Sequence, residues 1–388
     1  MPLVSDPVVI ASVARTPIGS FQGALKDRSA VELGGIAIKA ALERAGLSPD
    51  RIDEALMGCV LPAGLGQAPA RQAAHAAGLP RSVPCSTVNK VCGSGMKTAM
   101  LAHDMLLAGA ADIVVAGGME SMTNAPYLLE KARGGYRLGH GRILDHMFLD
   151  GLEDAYDKGR SMGTFAEDTA QSYQFTRQAQ DAYALESLDR ALRAIRGGDF
   201  NQEIVAVGDV SIDEQPGRSK PEKIPQLKPA FREGGTVTAA TSSSISDGAA
   251  AIVMTRMSVA EANHMTPLAV IRGHASHAQE PAWFTTAPIS AIRKLVEKVG
   301  WSIGEVDLFE INEAFAVVAM AAMRDLDIPR DKLNVNGGAC ALGHPIGCSG
   351  ARIVVTLLSA LRKAGQRRGV ASLCIGGGEA TALAVELI

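Results

Sequence analysis

Short apolar runs alternate along this chain with longer stretches whose apolar residues recur at the spacing of a helix face. Four of the short runs are typical of buried strands: PVVIASVA, DIVVAGG, VDLFEIN and VASLCIGG. Apolar strands separated by amphipathic helices are typical of parallel sheets that helices cover. The pattern therefore predicts a layered α/β protein with parallel sheets.

An internal repeat adds a pseudo-twofold symmetry to this arrangement. Residues 37–58 align without gaps with residues 291–312, and most aligned pairs are identical or similar in character. The identical pairs are Ala37/Ala291, Ile38/Ile292, Glu43/Glu297, Gly46/Gly300, Ser48/Ser302 and Asp53/Asp307. Further along, VCGSG at 91–95 matches IGCSG at 346–350 after a shift of one more residue. A register kept over so many positions predicts two copies of one α/β unit.

The segment between the two copies has a different character. It contains many charges and the stretch DEQPGRSKPEKIPQLKPAF, whose prolines and lysines exclude a long regular element. We expect an inserted loop domain that carries one or two amphipathic helices, for example in TRQAQDAYALESLDRALRAIRGG. The predicted division is 1–120 with 248–270 for the N-terminal half, 121–247 for the inserted loop domain and 271–388 for the C-terminal half.

Composition narrows the possible partners and the location. The 388 residues carry a formal net charge of −3 without a basic tail, which argues against a nucleic acid partner. No apolar run approaches the roughly 18 residues of a membrane span, and we recognise no targeting signal, so we expect a cytoplasmic protein without membrane contact. The six cysteines form no C-x-x-C pair, which disfavours disulfides and structural zinc.

Cys92 is the first candidate for chemistry. It comes at the start of a long predicted helix in TVNKVCGSGMKTAMLAHDMLLAGA. A thiol at the first turn of a helix lies at the positive end of the helix dipole, which lowers its pKa and favours the nucleophilic thiolate. The alternative is a small residue selected for close packing.

Three further residues lie near predicted strand ends or on an irregular loop. His344 is flanked by Gly343 and Pro345, where it is either an acid/base group or a structural histidine. Asn312 follows a predicted strand and could also be a helix N-cap, and Cys374 ends the last long strand before three glycines. Ligands gather at the carboxyl ends of parallel strands, so the four side chains together predict a catalytic site.

These motifs resemble those of a known family. TVNKVCGSG, INEAF, GGACALGHPIGCSGAR and CIGGG together resemble the motif set of the thiolases, and the resemblance extends from ARTPIGSF to the final strand. It implies a thiolase fold, in which two duplicated α/β halves form a five-layered α-β-α-β-α sandwich with an inserted loop domain. It also implies a homo-oligomer, either a dimer or a tetramer. The inserted loop domain is expected to bind coenzyme A and to form oligomer contacts.

The resemblance also implies roles for the matching residues. Cys92 resembles the nucleophile that accepts the acyl group, and Cys374 resembles the cysteine that moves the α-proton of the acetyl-CoA methyl. His344 resembles the base that activates Cys92, with Asn312 holding a water beside it. The backbone N–H groups of Cys92 and Gly376 resemble an oxyanion hole. Claisen chemistry of this kind needs a nucleophile, a matched base and oriented donors, and it requires no metal and no permanently bound cofactor.

Coenzyme A and acetyl-CoA are the substrates that the resemblance implies. We expect Arg218, Lys220 and Lys223 to meet the phosphates of coenzyme A, because the loop from 215 to 232 is strongly basic; a solvated basic loop is the alternative. Ser243 aligns with a pantetheine contact of the family. Met162 and Phe284 align with positions beside the acyl group, where the family varies.

The resulting expectation is an acyl-CoA C-acetyltransferase that condenses two acetyl-CoA into acetoacetyl-CoA and coenzyme A by a ping-pong mechanism. The first alternative is a degradative 3-ketoacyl-CoA thiolase of longer chains. The condensing enzymes that use acyl carrier protein share the fold but lack the second cysteine, so Cys374 argues against them. A non-catalytic protein that only binds coenzyme A or lipid would be expected to have lost catalytic residues, whereas all four are present.

Overall fold

Helices and strands alternate through most of the computed structural model, which describes residues 6–388. The α-helices are α1 (Ala30–Ala45), α2 (Pro69–Ala76), α3 (Ser94–Leu107), α4 (Met162–Ser172), α5 (Arg177–Arg196), α6 (Glu214–Arg218), α7 (Met257–Ala262), α8 (Ala287–Val299), α9 (Ala316–Leu326), α10 (Ala339–Leu342) and α11 (Ile346–Ala364). Among residues 6–388, no helix combines the length and the apolarity that crossing a bilayer requires.

The strands form one large sheet and a short hairpin. They are β1 (Val8–Arg15), β2 (Gly19–Ser20), β3 (Glu54–Gly58), β4 (Cys85–Val88), β5 (Ile113–Ser121), β6 (Tyr127–Leu128), β7 (Leu144–Asp145), β8 (Ser246–Arg256), β9 (Ala269–Ala278), β10 (Leu308–Ile311), β11 (Arg368–Ile375) and β12 (Glu379–Leu387). The large sheet runs in the order β10-β11-β12-β9-β1-β8-β5-β3-β4, with β2 beside β8, and β6 pairs with β7. The two halves meet where β1 pairs with β9 over only two residue pairs.

The prediction of parallel sheets is only partly right. β3 is parallel to β4 and β5, and β10 is parallel to β11. However, β8 runs antiparallel to both β1 and β5, and β12 runs antiparallel to β11 and β9. The short glycine connection between β11 and β12 leaves no room for a crossover helix, so these two strands form a hairpin.

The expected five layers are confirmed. Helices α1 and α2 cover the outer face of the first half, and α8 and α9 cover the outer face of the second. Helices α3 and α11 lie between the two halves, in a core that takes apolar side chains from strands of both. α11 is buried along most of its length, which is why its apolar residues are not confined to one face.

The repeat is also confirmed, down to individual contacts. α1 and α8 both end at a glycine in the left-handed conformation, Gly46 at φ 66° and Gly300 at φ 72°. A few residues later, the carboxylate of Asp53 accepts hydrogen bonds from the backbone N–H groups of residues 112 and 113. Asp307 accepts the equivalent pair from residues 367 and 368. The shared aspartate therefore ties β3 to its parallel neighbour β5 in the first copy, and β10 to its parallel neighbour β11 in the second.

The chain between the two copies contains α4, α5, α6 and the β6–β7 hairpin. The predicted amphipathic helix is present as α5, which begins after the N-cap Thr176. After this segment, β8 returns to the first half and pairs with β1 and β5. The exact limits of the three predicted domains stay a prediction.

The central helices α3 and α11 cross in unusually close contact at their first turns. A Cβ placed on Gly95 would lie 2.7 Å from the backbone nitrogen of Ala351, and a Cβ on Gly350 would lie 2.3 Å from that of Met96. Gly95 and Gly350 are equivalent positions in the repeated motifs VCGSG and IGCSG. Glycine at both positions therefore allows the two helix starts to lie side by side.

Replacing Gly95 by alanine should force these helices apart. We expect the free energy of unfolding to fall by about 1–3 kcal/mol or more, because the added methyl meets backbone atoms that cannot rotate away. The matched control is Gly304→Ala, where a Cβ would meet nothing within 4 Å. Urea denaturation followed by circular dichroism measures both variants, and an equal effect of the two substitutions would contradict the close-contact explanation.

Candidate active site

Cys92 lies on a tight turn between β4 and α3. It directly precedes Gly93, the N-cap of α3, so it lies just outside the helix rather than in its first turn. The preceding Val91 has φ 46°, a left-handed conformation that is strained for a β-branched residue. Side chains on both sides hold the turn: Asn89 Oδ1 accepts from the Val91 N–H at 2.9 Å, and Ser94 Oγ donates to the Val91 carbonyl at 2.7 Å. A strained backbone fixed in this way is a frequent feature of functional sites.

The expectation of a lowered pKa for Cys92 is wrong. Burial raises the pKa of Cys92 to about 11, although hydrogen bonds from the backbone N–H groups of Gly376 and Cys92 act to lower it. The resting side chain is therefore a neutral thiol at pH 7. A nucleophile in this state needs a neighbouring base.

Cys374 lies beside Cys92 at the end of β11. It is fully buried and pairs with Ala380 of β12 in the hairpin. Burial, followed by the neighbouring Cys92, raises the pKa of Cys374 well above its ordinary value. Gly376 follows in the connection, and a Cβ there would lie 3.5 Å from Cε of Met162. The structure thus brings Cys92, Cys374, Gly376 and Met162 together.

His344 lies on the loop that joins α10 to α11. Its Nδ1 is 2.5 Å from Ser349 Oγ, and that hydroxyl donates its own hydrogen to the carbonyl of Pro345 at 2.9 Å. Ser349 Oγ must therefore accept from His344 Nδ1–H, which leaves the lone pair on Nε2. Burial lowers the pKa of His344 to about 3, and the charge of Arg352 acts in the same direction. At pH 7 the imidazole is neutral and can accept a proton at Nε2.

Asn312 faces this lone pair. Its Nδ2 lies 3.4 Å from His344 Nε2, and its backbone N–H donates to the Ser372 carbonyl at 3.0 Å. α9 begins four residues later with Phe315 as its N-cap, so Asn312 is not the helix cap considered as its alternative role. Asn312 Oδ1 is buried and has no hydrogen-bond partner among residues 6–388.

Ser243 and Ser244 connect the loop after Asn312 with the loop that carries His344. The backbone N–H of Ser243 donates to the carbonyl of Ala314, and the carbonyl of Ser244 accepts from the His344 N–H. Phe284 is buried in the same apolar core as Cys374, with its ring edge-to-face against Phe165 and Phe315. The structure therefore places both residues near the candidate catalytic side chains.

The predicted phosphate-binding cations are exposed, but they are not all free. Arg218 forms an ion pair with Glu214, which lies immediately before the basic loop. Arg232 at the other end pairs with Asp168. Lys220 and Lys223 are exposed on the short helical turn between them. The basic charge of this loop is therefore lower than the sequence suggested.

Glu120 is a site residue that sequence reasoning missed. It is the penultimate residue of β5 and has no solvent exposure. Its carboxylate accepts hydrogen bonds from three backbone N–H groups, those of Val60, Leu61 and Gly347. Burial raises the pKa of Glu120 to about 7. Because Gly347 is in the first turn of α11, Glu120 fixes the helix start that follows His344. The available signal was an acidic residue two positions after the apolar run DIVVAGG.

With this geometry, the class of protein can be identified. Residues 8–258 match the family model described as "Thiolase, N-terminal domain", and residues 265–387 match "Thiolase, C-terminal domain". The chain therefore belongs to the thiolase family, as the motifs implied.

Individual relatives are similar over nearly their whole length. "Acetyl-CoA acetyltransferase 2" of Arabidopsis thaliana is 50% identical over 98% of this chain and 97% of the relative. "Acetyl-CoA acetyltransferase" of Cupriavidus necator is 46% identical over 98% of this chain and 99% of the relative. Among solved structures, the Acat5 thiolase of Ascaris suum in complex with coenzyme A superposes with a TM-score of 0.95 at 43% identity, over 98% of this chain and all of the other. The acetyl-CoA acetyltransferase of Bacillus anthracis gives a TM-score of 0.96 at 41% identity, over 99% of both chains.

Neutralising Glu120 should change the reactivity of Cys92. The negative charge of Glu120 raises the pKa of Cys92, so Glu120→Gln should lower that pKa and speed alkylation by iodoacetamide at pH 8, where Glu120 is largely ionised. Mass spectrometry of the peptide that contains Cys92 gives the rate. Glu43→Gln, the same change at an exposed carboxylate on α1, serves as the control. A pH–rate profile for alkylation that is the same in Glu120→Gln and in the parent would exclude this electrostatic role.

Proposed function

We propose that this chain catalyses the reversible Claisen condensation of two acetyl-CoA to acetoacetyl-CoA and coenzyme A. The observation that carries the proposal is that two thiols, the partly buried Cys92 and the fully buried Cys374, lie next to each other. Cys92 also packs against the apolar cluster that contains Ile346, two residues from the neutral imidazole of His344. Relatives named acetyl-CoA acetyltransferase at 46–50% identity support the same substrate, and a similar structure binds coenzyme A.

In the first half-reaction, His344 Nε2 accepts the proton of Cys92. The thiolate attacks the thioester carbonyl of acetyl-CoA, and the N–H groups of Cys92 and Gly376 stabilise the oxyanion. The carbon–sulfur bond to coenzyme A then breaks, and the leaving thiolate takes the proton of Cys374. Acetyl-Cys92, protonated His344 and the Cys374 thiolate remain.

In the second half-reaction, the Cys374 thiolate removes a methyl proton from another acetyl-CoA. Burial gives this sulfur a high pKa, and a more basic thiolate is better suited to removing a weakly acidic proton from carbon. The enolate attacks acetyl-Cys92, and the protonated His344, with a water held by Asn312, donates to the enolate oxygen. Collapse of the tetrahedral intermediate expels the Cys92 thiolate, which recovers its proton from His344. Each side chain ends in its starting protonation state, and the proton that the methyl group loses is balanced by the proton that the released coenzyme A carries away.

A short acyl chain fits this proposal best. Phe284 and Met162 occupy the side of the site that lies beside Cys374 and Gly376, and buried aromatic packing around Phe284 resists displacement. A degradative thiolase of longer chains is the second candidate. Ser243 would contact the pantetheine, and Arg218, Lys220 and Lys223 would contact the phosphates of coenzyme A.

We also propose that the chain forms a homo-oligomer, a dimer or a tetramer. The segment from 127 to 148 includes the β6–β7 hairpin and exposes several large apolar side chains, among them Leu138 at 96% and Ile143 at 69%. An apolar patch on such an extension is typical of a protein–protein contact. A cytoplasmic location stays a prediction.

The two cysteines should fail at different steps. Cys92→Ala should prevent acyl-enzyme formation, so that no radiolabelled acetyl group remains on the protein after mixing with acetyl-CoA. Cys374→Ala should still take up the label, because the nucleophile, His344 and the backbone donors remain. It should lose exchange of the acetyl-CoA methyl protons with solvent deuterium by about 100- to 10,000-fold, the usual effect of removing a positioned acid/base group.

Cys85→Ala, which removes a thiol from the first residue of β4, the strand that precedes Cys92, is the control for both assays. If Cys92→Ala and Cys374→Ala keep label uptake and proton exchange near the parent level, the two-cysteine mechanism is wrong. In that case other groups would carry label uptake and proton exchange. A parent protein that shows neither reaction would instead be a protein that only binds coenzyme A.

Substrate length can be tested by thiolysis of 3-ketoacyl-CoA substrates of increasing length. We expect the highest kcat/KM for the four-carbon substrate. Extra methylenes would overpack the wall near Phe284, which costs about 1–3 kcal/mol of binding free energy. Phe284→Leu should widen the space for the acyl chain and raise the relative kcat/KM for six- and eight-carbon substrates. A parent enzyme that prefers ten-carbon substrates would instead support the degradative candidate.

A further inference from the structure

A cluster of two histidines and one aspartate lies at the far end of α3 from Cys92. His103 and Asp104 are on the last turns of α3, about 14 Å along the helix axis from its first residue. His274 reaches them from β9, which belongs to the second half of the molecule. The cluster therefore spans the boundary between the two halves and takes no part in the chemistry proposed for the cysteines.

The three side chains converge closely. Asp104 Oδ1 is 3.2 Å from His103 Nδ1 and 2.9 Å from His274 Nε2, and one ligand atom from each side chain lies within 4.8 Å of the other two. The imidazole rings meet edge-to-face at 5.0 Å between centroids. Both histidines are largely buried, whereas the Asp104 side chain is 55% exposed. The cluster is thus held in place on one side and open to solvent on the other.

We propose that His103, Asp104 and His274 bind a divalent first-row transition-metal ion, such as Zn²⁺, that joins the two halves. Two imidazole nitrogens and one carboxylate oxygen are a common ligand set for zinc. Bonds of about 2.1 Å in a tetrahedral site place neighbouring ligand atoms about 3.4 Å apart, so only small movements are needed. The open side beside Asp104 leaves the fourth position to water.

The protonation of the cluster is compatible with metal binding. Burial lowers the pKa of both His103 and His274, so both rings are neutral at pH 7. A neutral ring that now donates to Asp104 can present a lone pair from the same nitrogen, because its proton can move to the other ring nitrogen. The positive charge of Lys298 lies nearby and would repel a bound cation. Its Nζ donates a hydrogen bond to the backbone carbonyl of His274 at 3.1 Å.

A different interpretation is a metal-free clamp, in which both histidines simply donate hydrogen bonds to Asp104. Both arrangements would stabilise the contact between α3 and β9. They differ in their response to added metal, since only a true site links stability to the concentration of free ion.

The test is calorimetric titration of Zn²⁺ into the full-length protein after dialysis against a chelator. His274→Asn and Asp104→Asn each remove one ligand, and Asp104→Asn keeps the size of the side chain in case the histidine variant does not fold. His140→Asn, at an exposed histidine outside the cluster, is the matched control. The cysteines are common to all these proteins, so any zinc that they bind is a shared background.

We expect the parent and His140→Asn to bind one Zn²⁺ that each ligand variant binds at least about tenfold more weakly. Zn²⁺ should also raise the thermal midpoint of the parent and leave that of the ligand variants unchanged. If the parent binds no more zinc than Asp104→Asn does, and its midpoint does not rise, the cluster is a hydrogen-bonded clamp and the proposal is wrong. Neither result depends on the activity of the enzyme.

Discussion

The close crossing of α3 and α11 is the constraint on which the rest of the structure depends. The helices touch at Gly95 and Gly350, where a side chain on either residue would meet the backbone of the other helix. Cys92 comes immediately before one helix start and His344 immediately before the other. The contact that joins the two halves of the fold therefore also determines how near the candidate nucleophile and its base can lie.

Burial at this crossing has an electrostatic consequence. In a site with little access to water, the charged form of each group is disfavoured, so the pKa of Cys92 rises to about 11 and that of His344 falls to about 3. The resting pair is a thiol and a neutral imidazole rather than a thiolate and an imidazolium. Charge would then develop only during the reaction, where the fixed backbone donors can stabilise it.

Supporting contacts explain how the site keeps its shape. Glu120 binds three backbone N–H groups from the loop after β3 and from α11, Ser349 fixes the tautomer of His344, and Asn89 and Ser94 hold the strained turn at Val91. These residues come from separate parts of the chain. Glu120 joins segments that are far apart in the chain, whereas Ser349, Asn89 and Ser94 each act on a residue within five positions.

The sequence by itself indicated the repeat and a layered α/β architecture, because glycine spacing and apolar periodicity are local properties. The five layers and the candidate catalytic residues followed from the resemblance of its motifs to those of the thiolases. The sequence was wrong about the purely parallel sheet and about the lowered pKa of Cys92. It also overstated the free charge of the basic loop, where Glu214 and Asp168 neutralise Arg218 and Arg232. Strand direction, desolvation and ion pairing each depend on which distant segments become neighbours, and only the tertiary structure decides that.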